Sequence, residues 1–348
     1  MTTSVAEPTA GMPAPAPRER GWGRVTFATI AFLVIPLTPL LRVLLPVDQT
    51  ALLLTPALAA CTVVGWLAGG RLALAAVWTT LATWVIWRLG NGSGLFPLLQ
   101  GGWALLVAAI FGAMAVVRRE PSAPFLPRAL RAIGIAVGLV GLVVVAVPGG
   151  PARVADGVAA EAGRRAEESR AGWRQMTGMP EWKEFVAGNP SAGEMSDLVE
   201  AQLTALPPTA RMLFPALAAL EALAALALAW ALYHRLGRAR IGPPLRPVRE
   251  FRFNDHMVWG VVGGLALVLL PGVTLLRALG ANLLLFFGAL YTIRGVGVFL
   301  FMASPGRLAS VALAVLGVLF WNVLGVMALG LGVGDTWLDW RSRARPKP

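Results

Sequence analysis

Residues 282–303, NLLLFFGALYTIRGVGVFLFMA, constrain this chain more than any other stretch. A bilayer core needs about 20 consecutive apolar residues in a helix, and this run supplies them. One charge interrupts it: Arg294 sits past the middle, beside Gly295 and Gly297. Facing lipid, such a charge costs between about 2.5 and 17 kcal/mol. Arg294 therefore has to face protein or a water-filled cavity, and it needs a partner.

The composition generalises that one stretch. The chain is 57% hydrophobic and only 14% charged, and its mean hydropathy is +0.68. A soluble domain carries roughly 25% charged residues. A net charge of +12 in a soluble protein would suggest nucleic acid. Here the arginines gather between apolar runs, where they set topology. No interleaved basic and aromatic motif accompanies them, so a nucleic-acid partner is not expected. Cys61 is the only cysteine, which excludes an internal disulfide and a four-cysteine zinc site. His234 and His256 are too few for a His-rich metal site. No cofactor and no metal are expected.

Nine runs read as spans: 25–45, 51–67, 72–87, 98–117, 132–147, 212–233, 257–276, 282–303 and 308–331. Pro36 and Pro39 break the first, and Pro56 lies inside the second. Trp84, Trp87 and Arg88 close the third as an interfacial belt. Residues 91–94 read as a turn. Gly134, Gly138 and Gly141 in the fifth either admit a close neighbour or are ordinary membrane-helix glycines. The expected fold is all-α: a polytopic transmembrane bundle of eight or nine spans with one extramembrane helical segment. In order, the chain divides into a disordered tail (1–20), five spans (21–148), the polar segment (149–210), three or four spans (211–334) and a basic tail (335–348).

The polar segment patterns as helices. Residues 152–176 form an Ala-rich one with Glu161 and Arg165 four apart. Residues 180–186, with Trp182 and Phe185, suit a membrane interface. In 191–206, Met195, Leu198, Val199, Leu203 and Leu206 share one face, and Pro207-Pro208 should end that helix. The segment reads as a cap on the membrane domain or as a module for a protein partner.

The arginines of 118–131 and of 235–252 mark cytoplasmic loops in a cytoplasmic (inner) membrane. Arg18, Arg20 and Arg24 put the N-terminus on the same side, and 149–210 is then extracytoplasmic. Nine simple spans would place the basic tail outside, against the rule.

Chemistry-bearing motifs are sparse. There is no G-x-x-x-x-G-K-[ST], no H-E-x-x-H and no G-x-S-x-G, and no catalytic residue is assigned. Glu221 is the only acid inside any of the nine runs. It lies about 14 Å into its span, and Arg294 about 18 Å into a parallel one. The expectation is a buried Glu221–Arg294 ion pair; the alternative is that each meets water or a backbone carbonyl separately. Asn282 and Asn322 complete the candidate buried polar site. Asp335 and Asp339 stand four apart, as a cation site or an acid–base pair would require. The other reading has Asp335 as a cap and Asp339 paired with Arg343.

Three stretches carry a resemblance: FRFNDHMVW at 251–259, Asn282 with Arg294-Gly295, and GDTWLDWR at 334–341. Together they resemble the YybS-like family of predicted bacterial membrane proteins (domain of unknown function 2232). That family is similar in having an aromatic-Arg-aromatic segment before a span and an Asn-initiated span with a Gln-Gly pair. It closes with Gly-x-x-Asp-x-aromatic-x-Asp-x-Arg. Arg252, Asp335, Asp339 and Arg341 match those places, and Arg294 stands where the family has Gln. The resemblance implies a polytopic membrane protein of unknown biochemical role. Its N-terminal spans look distantly like the substrate-binding S-components of energy-coupling-factor vitamin transporters. The expected function is a small-molecule binding or permease-type component, which for want of its own ATPase needs a partner protein or an ion gradient. The alternative is a non-catalytic scaffold that binds another protein through 152–206 or 235–252. The lipid bilayer is a partner in either case.

Overall fold

A computed structural model describes residues 22–34, 43, 46–90, 94–117, 123–272 and 274–343. The expected N-terminal tail, the Pro36 and Pro39 break, Arg42, the turn residues 91–93, Arg118 and Arg119 of the first basic loop, and residues 344–348 lie outside them. So does the side chain of Asn322.

Among the described residues the regular structure is helical, with no strand. In chain order the helices are α1 Gly23–Val34, α2 Val47–Leu67, α3 Leu72–Val85, α4 Leu95–Val117, α5 Phe125–Ala146, α6 Gly150–Thr177 and α7 Pro180–Gly188. They continue as α8 Pro190–Leu236, α9 Val258–Leu269, α10 Thr274–Ala303, α11 Arg307–Leu319, α12 Trp321–Leu338 and α13 Trp340–Arg343. Six of them are long and apolar enough to cross a membrane: α2, α3 with its π-turn extension to Leu89, α4, α5, α8 and α10. The apolar α9, α11 and α12 are shorter. The protein is thus an all-α membrane bundle with an extramembrane helical segment.

α8 departs from the expected pattern. Pro207-Pro208 does not end a helix; one helix of 47 residues runs through both, and through Pro215. At 1.5 Å per residue it is about 70 Å long, more than twice a hydrocarbon core. Its polar N-terminal half therefore projects from the membrane. Proline removes a backbone donor, but packing holds the helix on both sides of the break. Before it, Leu203 is buried against Ala166 and Val43. After it, Ala210 packs with Val158, Ala162 and Phe96. α6 and the start of α8 thus form a hairpin over one end of the bundle, closed at its far end by α7. α7 buries no residue.

Other boundaries shift as well. α9 stops at Leu269, ahead of a turn in which Gly272 takes φ +87°. α10 begins at Thr274, so Asn282 lies inside a helix rather than at its start. The ninth run is broken at Phe320, and α12 then continues to Leu338. Gly134, Gly138 and Gly141 face open space and receive no neighbour. Close approaches of helix backbone to helix backbone occur on α10 instead. A Cβ on Gly264 or Gly280 would press on the other's backbone at 3.0 and 2.6 Å, and Gly260 faces the Phe287 ring. These pairs make α9 and α10 antiparallel.

The main core lies among α2, α4, α5 and α8. Phe111, Phe125 and Trp230 meet ring to ring at 5.6–5.9 Å. Residues 237–247 are strapped beneath it. Their carbonyls accept from Tyr233 Oη (Ala239), Trp230 Nε1 (Pro243) and the buried Arg128 (Ile241). Farther along, Arg341 donates to the carbonyls of Arg249 and Phe251. The start of α5, the basic loop 235–252 and the start of the basic tail therefore meet at one end of the bundle. The α6–α8 hairpin covers the other.

Candidate functional site

Arg294 and Glu221 do not pair; the structure places them in two separate polar sites. Arg294 is 2% exposed. Its Nε donates to Asp335 Oδ2 at 2.9 Å and its Nη1 to Asp255 Oδ1 at 2.6 Å. Asp255 is presented by a 3₁₀ turn that Asn254 caps, its Oδ1 accepting from the His256 N–H. Asp335 is helical and buried, not part of the tail, because α12 runs past Leu331 to Leu338. The guanidinium also lies 5.5 Å from the Phe253 ring centre and 5.9 Å from that of Tyr291.

The glycines beside Arg294 now have a physical reason. A Cβ on Gly295 would fall 1.7 Å from the Ala328 carbonyl oxygen, and one on Gly332 would fall 1.9 Å from that of Tyr291. A Cβ on Gly297 would meet the Val248 oxygen at 2.3 Å. α12 and the turn at Val248, just after the strap, thus touch the backbone of α10 beside the charge. Asp339 ends α12 in the left-handed region, φ 38°. It pairs with Arg252, not with Arg343. The Ser342 hydroxyl first, and Arg252 with it, hold the Asp339 carboxyl below its usual range. Arg341 donates to the Arg294 carbonyl at 3.1 Å and lies 3.8 Å from Asp335. Burial lowers the Arg341 guanidinium from its ordinary value. Asp335 and Asp339 therefore point to different arginines and form neither a shared cation site nor an acid–base pair. Three acids and three arginines, linked as Asp255–Arg294–Asp335–Arg341 with the Arg252–Asp339 pair beside them, make a charge-balanced network among residues 252–255, α10, α12 and α13.

Asn282 has a structural role. Pro215 interrupts the ladder of α8, and the Asn282 amide enters the gap. It accepts from the Ala216 N–H at 2.9 Å and donates to the Met212 carbonyl at 2.7 Å. In an unbroken helix those two groups would bond each other. Left unpaired away from water, a backbone group costs about 1–3 kcal/mol.

Glu221 sits at the hairpin end, 5% exposed. Its Oε2 accepts from Gln49 Nε2 at 2.6 Å, and its Oε1 is buried without a partner. Gln49 Oε1 in turn accepts from Arg165 Nη1 at 3.3 Å. Arg165 comes from the extramembrane α6. It bonds Glu161 at 2.8 Å and the Val43 carbonyl at 3.3 Å, and its guanidinium lies 4.9 Å from the Phe96 ring centre. Burial would raise the Glu161 carboxyl, but Arg164 and Arg165 outweigh it and hold it low. Burial lowers Arg165 from its ordinary value more than Glu161 raises it; an arginine remains cationic all the same. A crevice of about 20 Å³ adjoins the chain, lined among others by Gln49, Phe96, Arg165, Phe214 and Leu217. It has room for about one water.

Gln49 belongs to no motif in the sequence, Asp255 lies unmarked within the stretch 251–259, and Arg165 stands out only as the i,i+4 partner of Glu161, a pairing the structure keeps. Gln49 carried a usable signal, a long amide near the start of an apolar helix. Arg165 and Asp255 belong to polar stretches where nothing marks a residue that folds inward. Among the described residues no group of three or more His, Cys, Asp and Glu gathers as a metal site.

The fold and the two buried polar sites define a multi-pass α-helical membrane protein. Residues 183–336 match the family described as Predicted membrane protein (DUF2232). Arg252, Asp255, Asn282, Arg294 and Asp335 fall inside that match; Asp339 and Arg341 follow it directly. No curated protein and no solved structure matches the chain.

Proposed function

We propose that this protein is a membrane-embedded binding or permease-type component for a small molecule, without an ATPase of its own, and that Glu221 anchors its ligand site. The observation that carries this reading is the Glu221 carboxylate. It is buried within the spans, has one oxygen unpartnered, and is linked through Gln49 to the extramembrane α6. Ionisable groups at such depth mark ligand or ion pathways. The Arg294 network is balanced in charge and reads as architecture. The test is thermal stability of the purified protein against a metabolite panel. A binder should raise the Tm saturably, and Glu221→Gln should abolish the rise. A panel with no hit, or hits indifferent to Glu221→Gln, would sink the reading.

A scaffold role is the second reading. It is favoured by the exposed Met176, Met179, Phe185, Met195 and Leu198 near the far end of the hairpin. Stoichiometric co-purification of a protein partner, lost when these positions are made polar, would support it instead.

The proposed orientation puts the N-terminus and the end bearing 235–252 in the cytoplasm of a bacterial-type inner membrane, and 149–210 outside. Convergence of the basic segments at one end supports it, and the tail then no longer violates the positive-inside rule. On a Cys61→Ala background, Ser191→Cys should react with a membrane-impermeant thiol reagent in intact cells whose outer envelope admits it. Arg246→Cys should react only after lysis. The opposite pattern reverses the orientation.

A further inference from the structure

The surroundings of Arg165 form a cation site already filled by the protein itself. Its guanidinium lies over the Phe96 ring, and its Nη1 donates to two acceptors, Gln49 Oε1 and the Val43 carbonyl. Behind Gln49 stands the Glu221 carboxylate, bonded by that neutral amide and not by a cation. Phe214 packs at 5.8 Å from Phe96 and closes the same crevice. An aromatic face, two neutral acceptors and a nearby carboxylate are what a small planar cation requires. Among the described residues lining this pocket only Arg165 suits an anion, and Arg165 is already held by Glu161.

We infer that Arg165 is a tethered stand-in for the ligand, and that the site takes small organic cations with a guanidinium or amine head. This rests on the reading of Glu221 as the anchor of a ligand site and names the class of ligand. Because α6 carries Arg165, entry of a ligand requires that side chain to withdraw. The extramembrane hairpin is thereby coupled to occupancy. A tethered group competes at high effective concentration, so the intact protein should bind a free guanidinium weakly. Removing the tether should uncover the site.

The experiment uses the full-length protein in detergent, with methylguanidinium as probe and the neutral, similarly shaped methylurea as comparator. Arg165→Ala should show a saturable rise in Tm with methylguanidinium, at an apparent Kd roughly tenfold below that of the wild type. Methylurea should give no rise, and adding Glu221→Gln should remove the response. The inference is overturned by no saturable response, by an equal response to methylurea, or by a response that Glu221→Gln leaves intact. Arg165→Gln, which keeps a donor for the Val43 carbonyl, is run beside it. If neither variant is recovered folded, both are grown and solubilised with methylguanidinium. Recovery then supports the inference, and continued failure overturns it. A negative result here, alongside a Glu221-dependent metabolite hit in the wild type, would reject the cation class and leave the binding role standing.

Discussion

Arg294→Gln is expected to lower the stability of the solubilised protein by about 3–5 kcal/mol, the cost of leaving a buried charge without its partner. Asp335, with a fully buried side chain, is that charge: it loses its hydrogen-bonded cation and keeps only the longer 3.8 Å contact to Arg341. Asp335→Asn should be damaging on the same scale, since it weakens a bond to a guanidinium that is itself 3% exposed. The double variant should lose less than the sum of the two, because each change removes the reason for the other's cost. Denaturation followed by tryptophan fluorescence would measure all three. Strict additivity between Arg294→Gln and Asp335→Asn would mean that the two do not share their energy. Glu221→Gln combined with Arg294→Gln provides the contrast: those groups lie in separate sites, so their losses should add.

The second large effect belongs to the glycine crossing beside that network. Gly295→Ala or Gly332→Ala would set a methyl carbon within 2 Å of a backbone oxygen on the facing helix. A backbone cannot step aside as a side-chain tip can, so α10 and α12 must part. The expected cost is about 3 kcal/mol or more, at the upper end of overpacking penalties. Separation would also pull Asp335 away from Arg294. Gly138→Ala is the control. Its added methyl meets nothing within 4 Å, and alanine favours the helix by about 1 kcal/mol. If Gly295→Ala proves as stable as Gly138→Ala, the helices do not cross so closely.

Both effects depend on contacts between elements far apart in the chain, and there the sequence and the fold part company. The resemblance rested on three stretches read separately: 251–259, 282–295 and 334–341. Folding brings Arg252, Asp255, Arg294, Asp335, Asp339 and Arg341 from them into one network. Asn282 goes instead to the break at Pro215. The Glu221–Arg294 pairing failed for an identifiable reason. Depth in the membrane can be counted along a helix, but the direction in which a side chain leaves it depends on which neighbours pack there. Asp335 lies beyond the apolar run 308–331, yet α12 continues to Leu338 and carries it into the interior.

By itself the sequence determined that this is a helical membrane protein with one polar helical segment, but of its nine apolar runs only six lie in described helices long and apolar enough to span. Those follow from a local requirement: a bilayer core demands about 20 apolar residues per helix and expels uncompensated charge. It determined, too, that Glu221, Asn282 and Arg294 each needed a partner. Only the tertiary structure decided who the partners are. It also decided that two prolines leave α8 unbroken, and which glycines admit a neighbour. Hydrogen bonds, ion pairs and close packing between helices are satisfied by geometry across the bundle, and residue order along one helix does not carry that information.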